Sequence, residues 1–179
     1  TGVQTCALPI YLTLGTDSVL SGVTIPENKV LVLTADTVGT YLKPDSQEFM
    51  DITNVFIQNG NMNPNRGRVN NVIVYFGEIQ EAQQDETQQT IGDLVDEFIG
   101  INANWSQLLV NTNVVADILL VAEKALSNNR LYVAQTNSEA VKNGESNNLA
   151  LQLKALNNYN TMLCYHETAN ESLAAGLAG

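Results

Sequence analysis

An apolar run without alternation is the feature that most constrains the fold of this chain. Residues 71–78 read NVIVYFGE, with five consecutive apolar or aromatic side chains. A strand of this kind is covered on both faces, which is typical of parallel sheets lying between two layers of helices. Weaker forms of the pattern recur as KVLVLT (29–34), WSQLLVN (105–111), RLYVAQT (130–136) and TMLCYHE (161–167). These five segments predict the strands of one sheet.

Segments with helical periodicity separate the predicted strands. In PDSQEFMDITNVFIQNG, Asp45 is predicted to cap a helix, with Glu48 three residues later as in a capping box. Thr90 and Asp93 have the same relation at the start of the next helix, whose apolar stripe ends before Gly100. The remaining predicted helices cover 113–127, 137–158 with a break at Asn143-Gly144, and the segment after Asn170.

The order of these elements predicts an α/β fold: a mostly parallel sheet with helices on both faces, built from about five β-α units. Residues 11–80 form an N-terminal α/β part in this interpretation, and residues 90–179 form an α/β core part. The polar residues 81–89 are either a linker between the two parts or one exposed loop within a single sheet.

Charge and motifs exclude several functions. Eight basic residues face nineteen acidic ones, for a net charge of −11, and the basic residues do not cluster. A protein that gains affinity by neutralising phosphates needs a basic face, so no nucleic-acid partner is expected. No apolar run approaches the ~20 residues of a membrane span, so no membrane insertion is expected. Neither a P-loop nor a dinucleotide-binding glycine motif is present, so no cofactor is predicted.

The one candidate for chemistry is the pair Cys164 and His166, which point to the same face if residues 161–167 form a strand. A thiol beside an imidazole could be a nucleophile with its base, or half of a metal site. The alternative is a buried cysteine in mid-strand and a histidine at the strand's polar end. We favour that alternative, so no catalytic, cofactor-binding or metal-binding residue is predicted and the protein is not expected to be an enzyme.

Two further features have simple structural explanations. Asp93, Asp96 and Glu97 form an acidic face, and paired carboxylates can act as general acid and base. They lie away from the apolar stripe near a helix N-terminus, where negative charge is favourable, so a solvated face is expected. Trp105, the single tryptophan, is expected to anchor the edge of the core.

An ordered series of short segments marks the C-terminal half. They are Trp105, Ala122-Glu123, Leu131 to Thr136, Leu153 to Tyr159, Tyr165-His166 and Leu173 to Gly179. In this order they resemble the core domain of bacteriophage contractile tail sheath proteins, in a divergent branch of formerly unknown function. The stretch YLKPDSQEFMDITNVFIQNGNMNPNRGRVNNVIVYF is similar to the segment before that core. The resemblance covers most of residues 28–179 and depends on many weak matches rather than on one motif.

The resemblance implies a structural role in the virion. Sheath subunits stack as hexameric rings around a tail tube, exchange terminal strands with their neighbours, and contract to drive the tube through the host envelope. The implied partners are other sheath subunits, the tail tube protein and baseplate proteins. The implied location is the virion tail, assembled in the bacterial host cytoplasm. A small-molecule-binding α/β module, or an α/β enzyme using Cys164 and His166, stays open as an alternative.

The first ten residues, TGVQTCALPI, carry no charge and resemble the translation of a sequencing-library adapter. Residues 1–10 are therefore expected to be non-native and to pack poorly, and the chain is expected to be a metagenomic fragment truncated at both ends. Sheath proteins continue with arms at their termini, and without them the chain is expected neither to polymerise nor to contract. Without this segment Cys164 is the one remaining cysteine, so no intramolecular disulfide is expected.

Overall fold

The structure is a computed structural model that describes residues 8–62, 69–80, 88–102, 105–168 and 172–178. These residues form one six-stranded sheet with the strand order β2-β3-β1-β4-β5-β6. The strands are β1 (Leu8–Leu14), β2 (Val30–Leu33), β3 (Val72–Gly77), β4 (Trp105–Val110), β5 (Leu131–Thr136) and β6 (Thr161–Tyr165). Each pairing is parallel except that of β2 with β3.

Helices flank the sheet, and the predicted fold class is confirmed. The helices are α1 (Val38–Tyr41), α2 (Gln47–Met62), α3 (Ile91–Ile101), α4 (Val115–Ser127), α5 (Glu139–Lys142), α6 (Leu149–Ala155) and α7 (Leu173–Ala178). The predicted break at Asn143-Gly144 separates α5 from α6. Asn148 caps α6 by accepting a hydrogen bond from the Leu151 amide at 3.1 Å.

Two buried clusters lie on opposite sides of the sheet. On one side, the α3 face, α3, α4 and α6 pack against β1, β3, β4 and β5. On the other side, the α2 face, α1, α2 and α7 pack against the same sheet, together with the edge strands β2 and β6. All six residues of β3 are buried, as the uninterrupted apolar run predicts for a strand covered on both faces.

Local signals in the sequence explain where several elements begin and end. Thr90 and Asp93 form the predicted capping box of α3, each side chain accepting from the other residue's backbone amide. At the ends of α4 and α6, Asn129 and Asn157 adopt positive φ angles of 53° and 50°. The following amides then bond back to carbonyls of the helix, which is the usual way an asparagine ends a helix before a strand.

The strand β1 lies in the middle of the sheet, between β3 and β4, and the prediction missed it. It includes the last three residues of TGVQTCALPI, and Ile10 is fully buried and paired with both neighbouring strands. The expectation that the first ten residues pack poorly is therefore wrong for residues 8–10, and residues 1–7 lie outside the described residues. The strands on both sides of residues 81–87 belong to this one sheet.

The position of β1 beside β4 also creates a topological switch point, at which the helices that follow the two strands lie on opposite faces of the sheet. The helix α2, which follows β1 and β2, covers one face of the sheet, whereas α4, which follows β4, covers the other. Because β1 and β4 are neighbours, their carboxyl ends flank a crevice of the kind in which open α/β sheets bind ligands. The candidate site lies in this crevice.

Candidate functional site

The crevice between the carboxyl ends of β1 and β4 is small. Its walls come from β1, α2, the loop after β4, the end of β5 and the first turn of α7. The cavity volume is about 30 Å³. This is room for one or two water molecules, whereas pockets for small organic ligands usually measure roughly 300–1,000 Å³.

Glu48 joins the two strands that flank the crevice. Its carboxylate accepts a hydrogen bond from the Thr13 hydroxyl at 2.6 Å and one from the Asn111 amide at 2.9 Å. Thr13 belongs to β1, Asn111 follows β4, and Glu48 is buried in the first turn of α2. The predicted capping role of Asp45 and Glu48 is wrong, since Ser46 accepts from the Phe49 amide at the helix start. The Glu48 carboxylate instead accepts from the buried Thr13 of β1 and from the partly buried Asn111, which directly follows β4.

Asp51, one turn later on α2, is the second carboxylate at the crevice. It accepts hydrogen bonds from the Tyr11 hydroxyl at 2.5 Å and from the Gln47 amide at 2.8 Å. Burial raises the pKa of Asp51, although the hydrogen bonds donated to its carboxylate oppose the rise. Burial also raises the pKa of the Tyr11 hydroxyl, so that group stays protonated and donates. These contacts bind α2 to the middle of the sheet.

Helix α7 closes the remaining side of the crevice. The Asn54 side chain donates to the Ser172 carbonyl oxygen at 2.7 Å, and the Ala174 amide donates to Gln135 Oε1 at 3.1 Å. Gly176 lies against α2, and a Cβ there would be 3.1 Å from Asn54 Nδ2. The contact is therefore close because this position has no side chain.

Cys164 and His166, the one candidate pair from the sequence, have different surroundings in the structure. Cys164 is 7% exposed within the cluster on the α2 face, and burial raises the pKa of its thiol. A nucleophilic cysteine needs the opposite shift in pKa. His166 follows the end of β6, where its Nδ1 accepts from the Thr168 amide at 3.1 Å. These observations support the alternative of a packed cysteine and a histidine at the strand's polar end.

The acidic face of α3 is engaged in local contacts. Hydrogen bonds from Thr90 lower the pKa of Asp93, as expected for a capping residue. Asp96 forms an ion pair with Lys124 of α4, and this contact raises the pKa of Lys124. Within the described residues, no group of three histidine, cysteine, aspartate or glutamate side chains is arranged to hold a metal ion.

Trp105 opens β4 and is buried. The Phe98 ring lies at a centroid distance of 6.2 Å, and the Arg130 guanidinium carbon lies 5.1 Å from the centroid of the indole ring. The tryptophan is thus held between a core ring and a cation at the amino end of the sheet. This arrangement agrees with the anchor at the core edge that the sequence indicates.

The sequence interpretation overlooked Glu48 and Asp51. The sequence pattern places Glu48 in the cap of α2. Glu48 is instead in register with the buried Ile52, four residues later. The four-residue spacing between Glu48 and the buried Ile52 is the one feature of the sequence that indicates a buried Glu48 carboxylate.

Comparison of the sequence with protein-family models gave no match, and comparison with curated proteins gave none either. Among the described residues, no helix combines the length and the apolar character needed to cross a bilayer.

Proposed function

We propose that this chain is the core part of a structural subunit of a contractile phage tail sheath. The observation that carries the proposal is the order of the family-like segments along one sheet. Trp105 opens β4, residues 131–136 are β5, and residues 153–159 are the end of α6 and the turn after it. Tyr165 then ends β6, and α7 begins at Leu173. The segments that carry the resemblance thus fall on strands and helices of one α/β sheet, in chain order, which supports the proposal of a shared domain.

The edge strands of the described sheet support the proposal. Among the described strands, β2 and β6 each have one neighbour and form the two edges of the sheet. Val32 on β2 is 57% exposed and Met162 on β6 is 46% exposed. An edge strand can pair with an added strand from a neighbouring chain, which is the linkage that the sheath resemblance implies. Neighbouring sheath subunits are the proposed partners, and the tail tube and baseplate proteins complete the assembly.

The two alternatives have less support. The cavity between the carboxyl ends of β1 and β4 measures about 30 Å³, much less than a pocket for a small organic ligand, which counts against a binding module with its site at these strand ends. An enzyme that uses Cys164 and His166 would need an accessible thiol with a lowered pKa, and Cys164 is buried with its pKa raised.

The test is assembly of a longer relative that carries the same segments together with terminal arms. In that relative, lysine at the position that corresponds to Met162 places a charge on the edge strand β6 and is expected to reduce polymer formation strongly. Substitution of Met50 by lysine is the matched control, since Met50 is 40% exposed and lies on helix α2 rather than on a strand. Sedimentation velocity measures the polymer fraction. Equal assembly of the two variants would contradict edge-strand pairing at β6.

A further inference from the structure

Helix α7 covers the sheet with little apolar surface. The side chains that it buries are three alanine methyl groups, those of Ala174, Ala175 and Ala178. On the opposite face, α3 buries isoleucine, leucine, valine and phenylalanine side chains. Because hydrophobic stabilisation scales with the apolar area removed from water, α7 is held far more weakly than α3. A helix of six residues also has little stability of its own.

The polar contacts that α7 makes with α2 and β5 lie at its first turn. Besides the bonds from Asn54 to Ser172 and from Ala174 to Gln135, the Gln47 amide reaches Ser172 Oγ at 3.5 Å. Each of these groups can exchange its protein partner for water when the helix leaves, so each bond has a small net effect. The outer side of α7 carries Leu177, which is exposed.

We infer that α7 is a releasable strap: it leaves the sheet as a unit while the six strands stay paired. In the docked state it closes the crevice at the switch point and covers part of β5 and β6. Its release opens that crevice and uncovers the apolar α2 face near Cys164. Regions held by few buried apolar contacts are those that open locally at a cost well below that of global unfolding. The inference concerns a single chain and does not depend on the proposed sheath function.

Cys164 provides the reporter. It lies in the same buried cluster as the three alanines of α7, so its thiol becomes accessible when α7 leaves. In the full chain with Cys6 replaced by serine, Cys164 is the one remaining thiol. Its rate of reaction with an aromatic disulfide reagent is measured in increasing urea and divided by the rate for the unfolded chain. This ratio reports the fraction of molecules in which the thiol is open.

If α7 is released as a strap, the labelling rate of Cys164 is independent of urea at low urea concentration. The rate follows the free energy of global unfolding only near the urea concentration at which the whole chain unfolds. A rate that rises along the global line from zero urea would overturn the inference, because Cys164 would then react only through complete unfolding. This measurement uses the wild-type sequence of α7, so it tests whether α7 leaves the sheet without global unfolding even if a variant of that helix fails to fold.

Two glycine variants test the docking contact. In Gly176→Gln, the new side chain must enter the space between α7 and α2, where a Cβ already meets Asn54 Nδ2 at 3.1 Å and Gln58 Cγ at 3.4 Å. We expect labelling of Cys164 to become about tenfold faster or more. Gly100→Gln on α3 is the matched control, since a Cβ there meets nothing within 4 Å, and its labelling rate should stay within about twofold of the parent. Equal acceleration by both variants would overturn the inference.

Discussion

Replacing Glu48 by alanine is expected to lower the free energy of unfolding by about 1–4 kcal/mol, mainly because the buried Thr13 hydroxyl loses its acceptor, with a smaller loss at the partly buried Asn111 amide. The Thr13 hydroxyl and the Asn111 amide bond to the same carboxylate oxygen at 2.6 and 2.9 Å, and Thr13 is 1% exposed. A buried donor left without an acceptor costs about 1–3 kcal/mol, and the carboxylate's bonds are stronger than those between neutral groups. Glutamine keeps an oxygen at this position, so Glu48→Gln is expected to lose about 1.5 kcal/mol or less.

Urea denaturation followed by circular dichroism measures both variants, with an unchanged m-value as the sign that only stability has changed. A double-mutant cycle with Thr13→Val isolates the bond, since valine removes the donor while keeping the shape of the side chain. The double variant should be more stable than the sum of the two single effects predicts, by about 1 kcal/mol or more. A loss below about 0.5 kcal/mol for Glu48→Ala, or equal losses for alanine and glutamine, would refute the reasoning.

Three further predictions concern the core and the crevice. Tyr132→Phe should raise stability by up to about 1 kcal/mol, because the buried Tyr132 hydroxyl has no hydrogen-bond partner among the described residues. Tyr11→Phe should lower stability by about 1–3 kcal/mol, because Tyr11 donates to Asp51, and urea unfolding compares the two variants. Burial raises the pKa of Asp51, so its contribution to stability is present at low pH and is lost as pH rises through the folded-state pKa. The difference in unfolding free energy between wild type and Asp51→Asn should therefore change between about pH 4 and 8, and a constant difference would contradict this. Gly77→Ala should lower the stability of the fold by about 1–3 kcal/mol, because a Cβ there lies 2.7 Å from a side-chain atom of a buried leucine of α3. Gly100→Ala has open space and should be neutral or stabilising, so similar melting temperatures for the two variants would refute the close contact at Gly77.

Periodicity in the sequence was enough to predict much of this fold. The apolar run of β3, the capping box at Thr90 and the strand that opens at Trp105 each depend on neighbours in the chain, so the local sequence specifies them. The fold class follows from their order, because β-α units with short connections form mostly parallel sheets.

The missed strand β1 shows the limit of that reasoning. LPIYLTL contains a proline and partly overlaps the segment that resembles an adapter translation, so its local sequence does not indicate a strand. Its central position depends on pairing with residues 73–77 and 105–110, which are far away along the chain. The antiparallel direction of β2 is also a property of the assembled sheet. No local pattern specifies either pairing.

The candidate site was beyond local prediction for the same reason. Glu48 has the spacing of a capping residue, and the sequence does not show that Thr13 and Asn111 converge on it. The crevice exists because β1 and β4 are neighbours whose following helices lie on opposite faces of the sheet. A prediction that lacks β1 therefore contains no switch point.

Electron microscopy of assembly tests the central proposal most directly. A longer relative that carries the same segments and its terminal arms is purified, mixed with the tail tube protein of the same genome, and imaged in negative stain over a range of concentrations. The sheath proposal predicts tubes of uniform diameter, built from stacked rings around the tail tube. Monomers or irregular aggregates at every concentration, with and without the tube protein, would contradict it.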